Sequence, residues 1–202
     1  TVIDRGGVKI GFFGLIGKDA AEVAPFAKPV KFGDPAESAK KMVDLLRNRE
    51  KVDLVVCLSH SGLNLDAISK SEDVKLAARV PGIDIIISGH THTPLKEPII
   101  KGKTIIVQAW CYGLWAGIMD IVLRNGTVTL DKYRMMEIDD TIPGDNAVTA
   151  VVNGYKNEIS GTVLAPRQVI IDEIAAAAST AESILPVARH LNHLKTVQSP
   201  QS

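Results

Sequence analysis

Three of the chain's five histidines sit where an apolar run gives way to small polar residues. Ser88-Gly89-His90-Thr91-His92 follows directly on the run 83–87 (IDIII). His60 ends a second run, 52–59 (VDLVVCLS). If both runs are parallel neighbours in one sheet, their carboxyl ends share a rim, and that rim is where open α/β sheets bind ligands. Three imidazoles could then converge, with only Ser59, Ser88 and Gly89 beside them. Neutral imidazole suits zinc, manganese, iron or cobalt better than calcium or magnesium. In extended backbone, residues i and i+2 lie about 6.5 Å apart along the chain. Paired metal ions in binuclear hydrolases are about 3.5–4 Å apart. His90 and His92 could therefore straddle two ions, one each, or share one ion if the loop curls. A single histidine at a strand end more often caps or packs, so the reading depends on the three occurring together. His190 and His193, spaced i, i+3 among charged neighbours, read as a solvated helix face.

The elements that must position these residues are legible in outline. Residues 1–4 read as the end of a strand, 4–7 (DRGG) as a turn, and 8–16 (VKIGFFGLI) as a strand in which Gly11 and Gly14 allow close backbone approach. Residues 17–33, broken by Pro25, Pro29 and Gly33, read as irregular. Asp34-Pro35-Ala36-Glu37 signals a helix start: a capping aspartate, proline at the first helical position, and glutamate placed for a capping box. Ala39, Met42, Val43 and Leu46 share a face, and the helix should run to about Arg49. The 52–59 and 83–87 runs are apolar on successive residues, as strands covered on both faces are. A helical stretch within 64–80, stopped by Pro81-Gly82, makes a strand–helix–strand unit. Residues 104–109, 116–124 and 127–135 then read as successive strands, with Asn125-Gly126 a hairpin turn. The prediction is an α/β fold with mixed parallel and antiparallel strands, in one sheet or two packed sheets. Helices are expected over 145–159, capped by Asp145 or Asn146, and over 175–195; the last five residues should fray.

Composition narrows the function classes. The 202 residues are 46% hydrophobic and 23% charged, with 23 basic and 23 acidic side chains. A zero net charge gives no broad footprint for a nucleic acid polymer or an anionic membrane. No apolar stretch reaches the 18 or so residues that span a bilayer. Cys57 and Cys111 make no disulfide framework, and Cys57 reads as a small core residue. The start, Thr1-Val2-Ile3-Asp4, carries neither an initiator methionine nor a signal-peptide pattern, so the chain reads as cut from something longer, or processed.

Ser59-His60-Ser61-Gly62 followed by Gly89-His90-Thr91-His92 resembles the last two metal motifs of the calcineurin-like metallophosphoesterases, closest to their 5′-nucleotidase branch. Residues 7–15 (GVKIGFFGL), 80–84 (VPGID), Gln108-Ala109 and Tyr112-Gly113 extend the resemblance over roughly residues 5–135. It implies a partial β-sandwich flanked by helices (αββα) over residues 1–160, with 161–202 a linker or helical tail. It also implies two divalent ions, with His60 and His90 ligating one and His92 the other, and hydrolysis of a phosphate monoester or nucleotide by a metal-activated hydroxide. A periplasmic or extracellular setting is suggested by the resemblance alone.

The family's earlier motifs are an Asp-x-His pair, a bridging aspartate, an asparagine ligand and a histidine near the leaving group. They have no counterpart here and would precede residue 1, so no catalytic residue is assigned within the chain. Asp53 and Asp84 begin their strands and belong at the opposite rim, while Asn64 and Asp66 follow His60 with no assigned place. The aromatic base-stacking motifs of the branch's second domain are not visible after about residue 160. The chain is therefore expected to be one part of a phosphoesterase domain that self-associates or needs a complementary N-terminal segment. The alternative is a non-catalytic metal-binding or interaction fragment of the same scaffold.

Overall fold

The computed structural model describes residues 1–139 and 141–164. The helix expected over 175–195, His190, His193 and the chain end lie outside the described residues. The chain divides into two compact units, Thr1–Thr141 and one beginning at Ile142.

The first unit is a mixed α/β structure with a six-stranded sheet and a two-stranded sheet. The six strands are β1 (Val2–Arg5), β2 (Val8–Ile16), β3 (Leu54–His60), β4 (Ile85–Ile87), β5 (Ile99–Lys101) and β6 (Thr104–Val107), arranged β1-β2-β3-β4-β6-β5. The central pairs β2–β3, β3–β4 and β4–β6 are parallel, and the edge strands β1 and β5 pair antiparallel. The expected neighbourhood of the two histidine-bearing strands is thus realised, with Leu58 opposite Ile87 and Ile16 opposite His60. Strand β5 was not legible in the sequence. Its three residues, none fully buried, carry no run long enough to read.

Alternation divides the sheet's two faces. One set of side chains, including Phe13, Val55, Cys57, Ile86 and Ile106, forms a core with helix α2 (Pro35–Asp44, continued by a wider turn over Leu45–Arg49) and helix α3 (Glu72–Arg79). Here α2 and α3 are numbered after a short helix, α1 (Lys18–Glu22), which replaces part of the segment expected to be irregular. Helix α2 comes so close to the sheet that a Cβ on Gly11 would stand 2.9 Å from Leu46 Cδ2. Gly14, expected to play the same part, faces open space. Asp34 caps α2, accepting from the N–H groups of Ala36 (2.8 Å) and Glu37 (3.0 Å), and these bonds hold its carboxyl below the usual range. Glu37 does not close a capping box; its carboxylate pairs with Lys40 at 2.8 Å. Cys57 is fully buried, and burial pushes its thiol up to about 12, as befits a packed rather than a reactive cysteine.

The opposite face packs on the second sheet, β7 (Trp115–Arg124) with β8 (Thr127–Glu137). Leu54, Val56, Ile85, Ile105 and Val107 meet Val128, with Met119, Ile121, Leu123 and Leu130 around them. The hairpin turn has positive φ at both Asn125 (49°) and Gly126 (71°), the geometry that Asn-Gly favours. Leu58 and Ile87 belong to the same face nearer the histidine rim, yet are 48% and 43% exposed.

Asp53 and Asp84 lie at the amino-terminal rim, as the sequence implied. Asp53 accepts from the Lys9 N–H. Asp84 accepts from the Val55 N–H at 2.7 Å and pairs with Arg47, whose guanidinium also reaches the carbonyls of Val52, Asp53 and Gly82. Burial pushes the Asp84 carboxyl up, against the opposing pull of the Val55 N–H and Arg47. Removing the guanidinium strands a largely buried carboxylate, so Arg47→Ala should lower stability by about 3 kcal/mol. Thermal melts of Arg47→Ala, Asp84→Asn and the double variant check this. The double variant should lose less than the sum of the two single losses.

In the second unit, helix α4 (Asn146–Ile159) is capped as expected: Asp145 accepts from Ala147 N (2.9 Å) and Val148 N (3.0 Å). Its Val148, Val151, Val152, Tyr155 and Ile159 recur at helical spacing and are all exposed. No described helix is long and apolar enough to cross a membrane.

Candidate metal-binding site

His60 is the last residue of β3, and His90 and His92 lie in the loop after β4. The parallel pairing of these strands brings His60 and His90 together, with ring centroids 5.0 Å apart and planes at 61°. Gly89 permits this approach, since a Cβ there would meet His60 Nδ1 at 3.4 Å and the Ser59 carbonyl at 3.3 Å. His92 instead stands edge-on to Tyr112, with centroids 5.2 Å apart. It lines an open cleft of about 580 Å³ together with Asp19, Asn64, Asp66 and Lys70. Asn64 and Asp66, which the sequence left without a place, therefore face the same opening as His92.

A buried carboxylate beneath the rim holds the two loops. Asp73, fully buried in the first turn of α3, accepts from Ser59 Oγ (2.6 Å), Ser88 Oγ (2.5 Å) and Gly62 N (3.2 Å), and its own N–H donates to the Gly62 carbonyl at 3.3 Å. Ser59 immediately precedes His60, and Ser88 lies two residues before His90. One side chain thus ties together the ends of both strands. Burial pushes the Asp73 carboxyl up, while its three donors pull it down. A second tie runs through Thr91, whose Oγ1 accepts from Leu63 N (2.9 Å) and stands 3.3 Å from Gln108 Oε1. Gly62 has a φ of +99° and packs so closely that a Cβ would lie 2.3 Å from Thr91 Cγ2; no other residue fits without rebuilding both loops.

The backbone at this rim is unusual. His90 (φ 69°), His92 (50°), Trp110 (65°) and Tyr112 (57°) all adopt left-handed conformations that residues with side chains seldom take. Such outliers cluster at functional sites, where the surrounding structure imposes them.

Sequence reasoning missed three acidic residues here: Asp73, Asp19 and Glu72. Asp19, in the stretch read as irregular, places Oδ2 3.0 Å from His90 Nε2 across 71 positions of sequence. Glu72 accepts from the N–H groups of Lys18 (2.9 Å) and Asp19 (3.3 Å), fixing the start of α1. No local pattern announces a contact that distant. Glu72-Asp73 did carry a weak signal, two acids in the first turn of a helix.

The donor chemistry fits part of a metal centre. His60 and His90 present two imidazoles side by side, and His90 has a carboxylate behind it, the usual support of a ligating histidine. Among the described residues, no three His, Cys, Asp or Glu side chains converge closely enough to hold an ion.

The strand-end motifs and the sandwich of sheets define a class, and comparison with known sequences agrees. Residues 8–94 match the model of the Calcineurin-like phosphoesterase family. Among its relatives, the trifunctional nucleotide phosphoesterase protein YfkN of Bacillus subtilis is 32% identical over 164 residues, which are 78% of this chain and 11% of that protein. A 5′-nucleotidase of Vibrio cholerae is 28% identical over 68% of this chain and 29% of its own length. The solved structure of the sulfate thiohydrolase SoxB from Thermus thermophilus superposes with a TM-score of 0.66 and 27% identity, covering 83% of this chain and 29% of that one. The chain thus spans between about a tenth and three-tenths of the length of these proteins.

Proposed function

We propose that this chain carries part of the active site of a metal-dependent phosphoesterase acting on a nucleotide or similar phosphate monoester. The observation that carries the reading is the meeting of His60 and His90 at the carboxyl rim, held by Asp73 from both strand ends. His60 and His90 would supply nitrogen ligands to one divalent ion and His92 to a second, with zinc, manganese, iron and cobalt the candidates. Bound there, such ions would supply an activated hydroxide and neutralise charge on the ester oxygens. The chain's own residues contribute the rest: Asp73 and Thr91 fix the loops, and Lys70 brings a cation to the cleft beside His92. The match to the family over residues 8–94, and relatives named for nucleotide hydrolysis, support the reaction class.

A second reading is a metal-binding or interaction fragment without turnover. It is favoured by the lack of a three-residue ligand group among the described residues. Two neighbouring cations without a carboxylate between them repel strongly. The exposed Leu58 and Ile87, and a two-stranded sheet with no further strand among the described residues, support association with a second copy or a complementary segment.

The deciding experiment measures metal content and affinity of the purified chain, then hydrolysis of p-nitrophenyl phosphate and AMP with added manganese. Metal-dependent release of phosphate is expected under the first reading. Bound metal without turnover of either ester would leave the second, and no binding at all would remove both metal readings.

A further inference from the structure

We propose that Asp19 is the positioning residue of the site: it fixes the tautomer of His90, so that Nε2 carries the proton and Nδ1 keeps the lone pair available to a ligand. The inference deepens the metal-site reading above and rests on it only for the identity of that ligand.

A neutral imidazole carries one N–H, and the nitrogen that bears it is set by its hydrogen-bond partner. The partner of His90 Nε2 is Asp19 Oδ2 at 3.0 Å, an acceptor that has no proton to give in its ionised form. The bond therefore requires Nε2–H and leaves Nδ1 unprotonated. A freely moving surface aspartate could not hold such a bond, and the Asp19 side chain is 69% exposed. Its backbone, however, is held from the same frame that carries the histidines. Glu72 binds the N–H groups of Lys18 and Asp19, and Gly17 N donates to the His60 carbonyl at 3.1 Å. Gly17 is packed so tightly that a Cβ would lie 2.6 Å from Ser61 Cα. Helix α1 thus starts at a fixed point beside the rim, its first turn carrying Asp19 against a His90 side chain that is 18% exposed. Among the described residues no other hydrogen bond engages Asp19's carboxylate, which leaves it directed to His90.

The test uses the whole chain labelled with ¹⁵N-histidine, at a pH well above the ordinary imidazole pKa of about 6.5. Long-range ¹H–¹⁵N correlation spectra report which ring nitrogen carries the proton, with His90 assigned by its disappearance in His90→Gln. The native protein should show His90 as the Nε2–H tautomer, Asp19→Ala a mixture of tautomers, and Asp19→Glu a return towards Nε2–H. Manganese or zinc affinity, measured by calorimetry, should fall about 10- to 100-fold in Asp19→Ala and recover in part in Asp19→Glu. The melting temperature should not move, since an exposed side chain is removed. An unchanged Nε2–H signal in Asp19→Ala, or an Nδ1–H tautomer in the native protein, overturns the proposal whether or not metal binds. Native protein that takes up no metal would remove the metal-site reading, while the tautomer result still decides the role of Asp19.

Discussion

Asp73→Ala should be the most damaging single substitution in the first unit. It removes the acceptor of Ser59, Ser88 and Gly62 at once and leaves a fully buried gap with three donors facing it. Each stranded donor costs about 1–3 kcal/mol, and removing the hub of a buried charged network costs about 3–5 kcal/mol in all. For a unit of this size a loss of that order lowers the melting temperature by about 10 °C. Asp73→Asn keeps the shape and part of the bonding, so it should lose much less.

The two variants also separate by pH. Burial raises the folded-state value of Asp73 above its ordinary 3.8, so the folded protein holds the proton more tightly than the unfolded chain does. The resulting stabilisation is complete below 3.8 and is lost as pH rises through the raised value. Asp73→Asn, which cannot titrate there, should show a shallower fall in stability on going from acid towards neutral pH. Asp84 shifts in the same direction but is common to both proteins, and so cancels in the comparison. Parallel melts of the two proteins across the acid range check the sign; a steeper fall in Asp73→Asn would contradict it.

The second large effect concerns chemistry rather than stability. His60→Ala and His92→Ala should each lower metal-dependent ester hydrolysis by more than the 10- to 100-fold that loss of a mere supporting group causes, because each would take a ligand away. Both side chains are exposed, so the folding stability should stay within about 0.5 kcal/mol of the parent's. Rates on p-nitrophenyl phosphate with added manganese, read beside circular-dichroism melts, check the pair of expectations. Equal rates in the parent and in His92→Ala would remove His92 from the assignment. Loss of folding in His60→Ala would show instead that its ring is part of the packing.

Much of this architecture could be read before any coordinates. Strand β2 was read at its observed limits because its pattern is long and its flanks are glycines. The runs holding β3 and β4 are apolar on successive residues, and the structure covers them with helices on one face and β7–β8 on most of the other. The Asn-Gly hairpin and the caps at Asp34 and Asp145 were visible because each rests on one residue's local stereochemistry. Helix α1 and strand β5 were not, being five and three residues long and held in place by partners distant in sequence. The site divides in the same way. The three histidines announce themselves by their position after apolar runs, whereas Asp19 and Asp73 act across 71 and 14 or 15 residues and carry no periodic mark. What periodicity cannot reveal is which acid closes which network, since that depends on how separate elements pack.

The left-handed backbone at His90, His92, Trp110 and Tyr112 limits how portable this site is. A peptide copied from residues 88–114 would relax into ordinary conformations once freed of Asp73, Thr91's ties and the strands beneath. Transplanting the rim onto another scaffold would therefore require carrying along the buried carboxylate and both strand ends, since the loop's own preferences do not produce its shape.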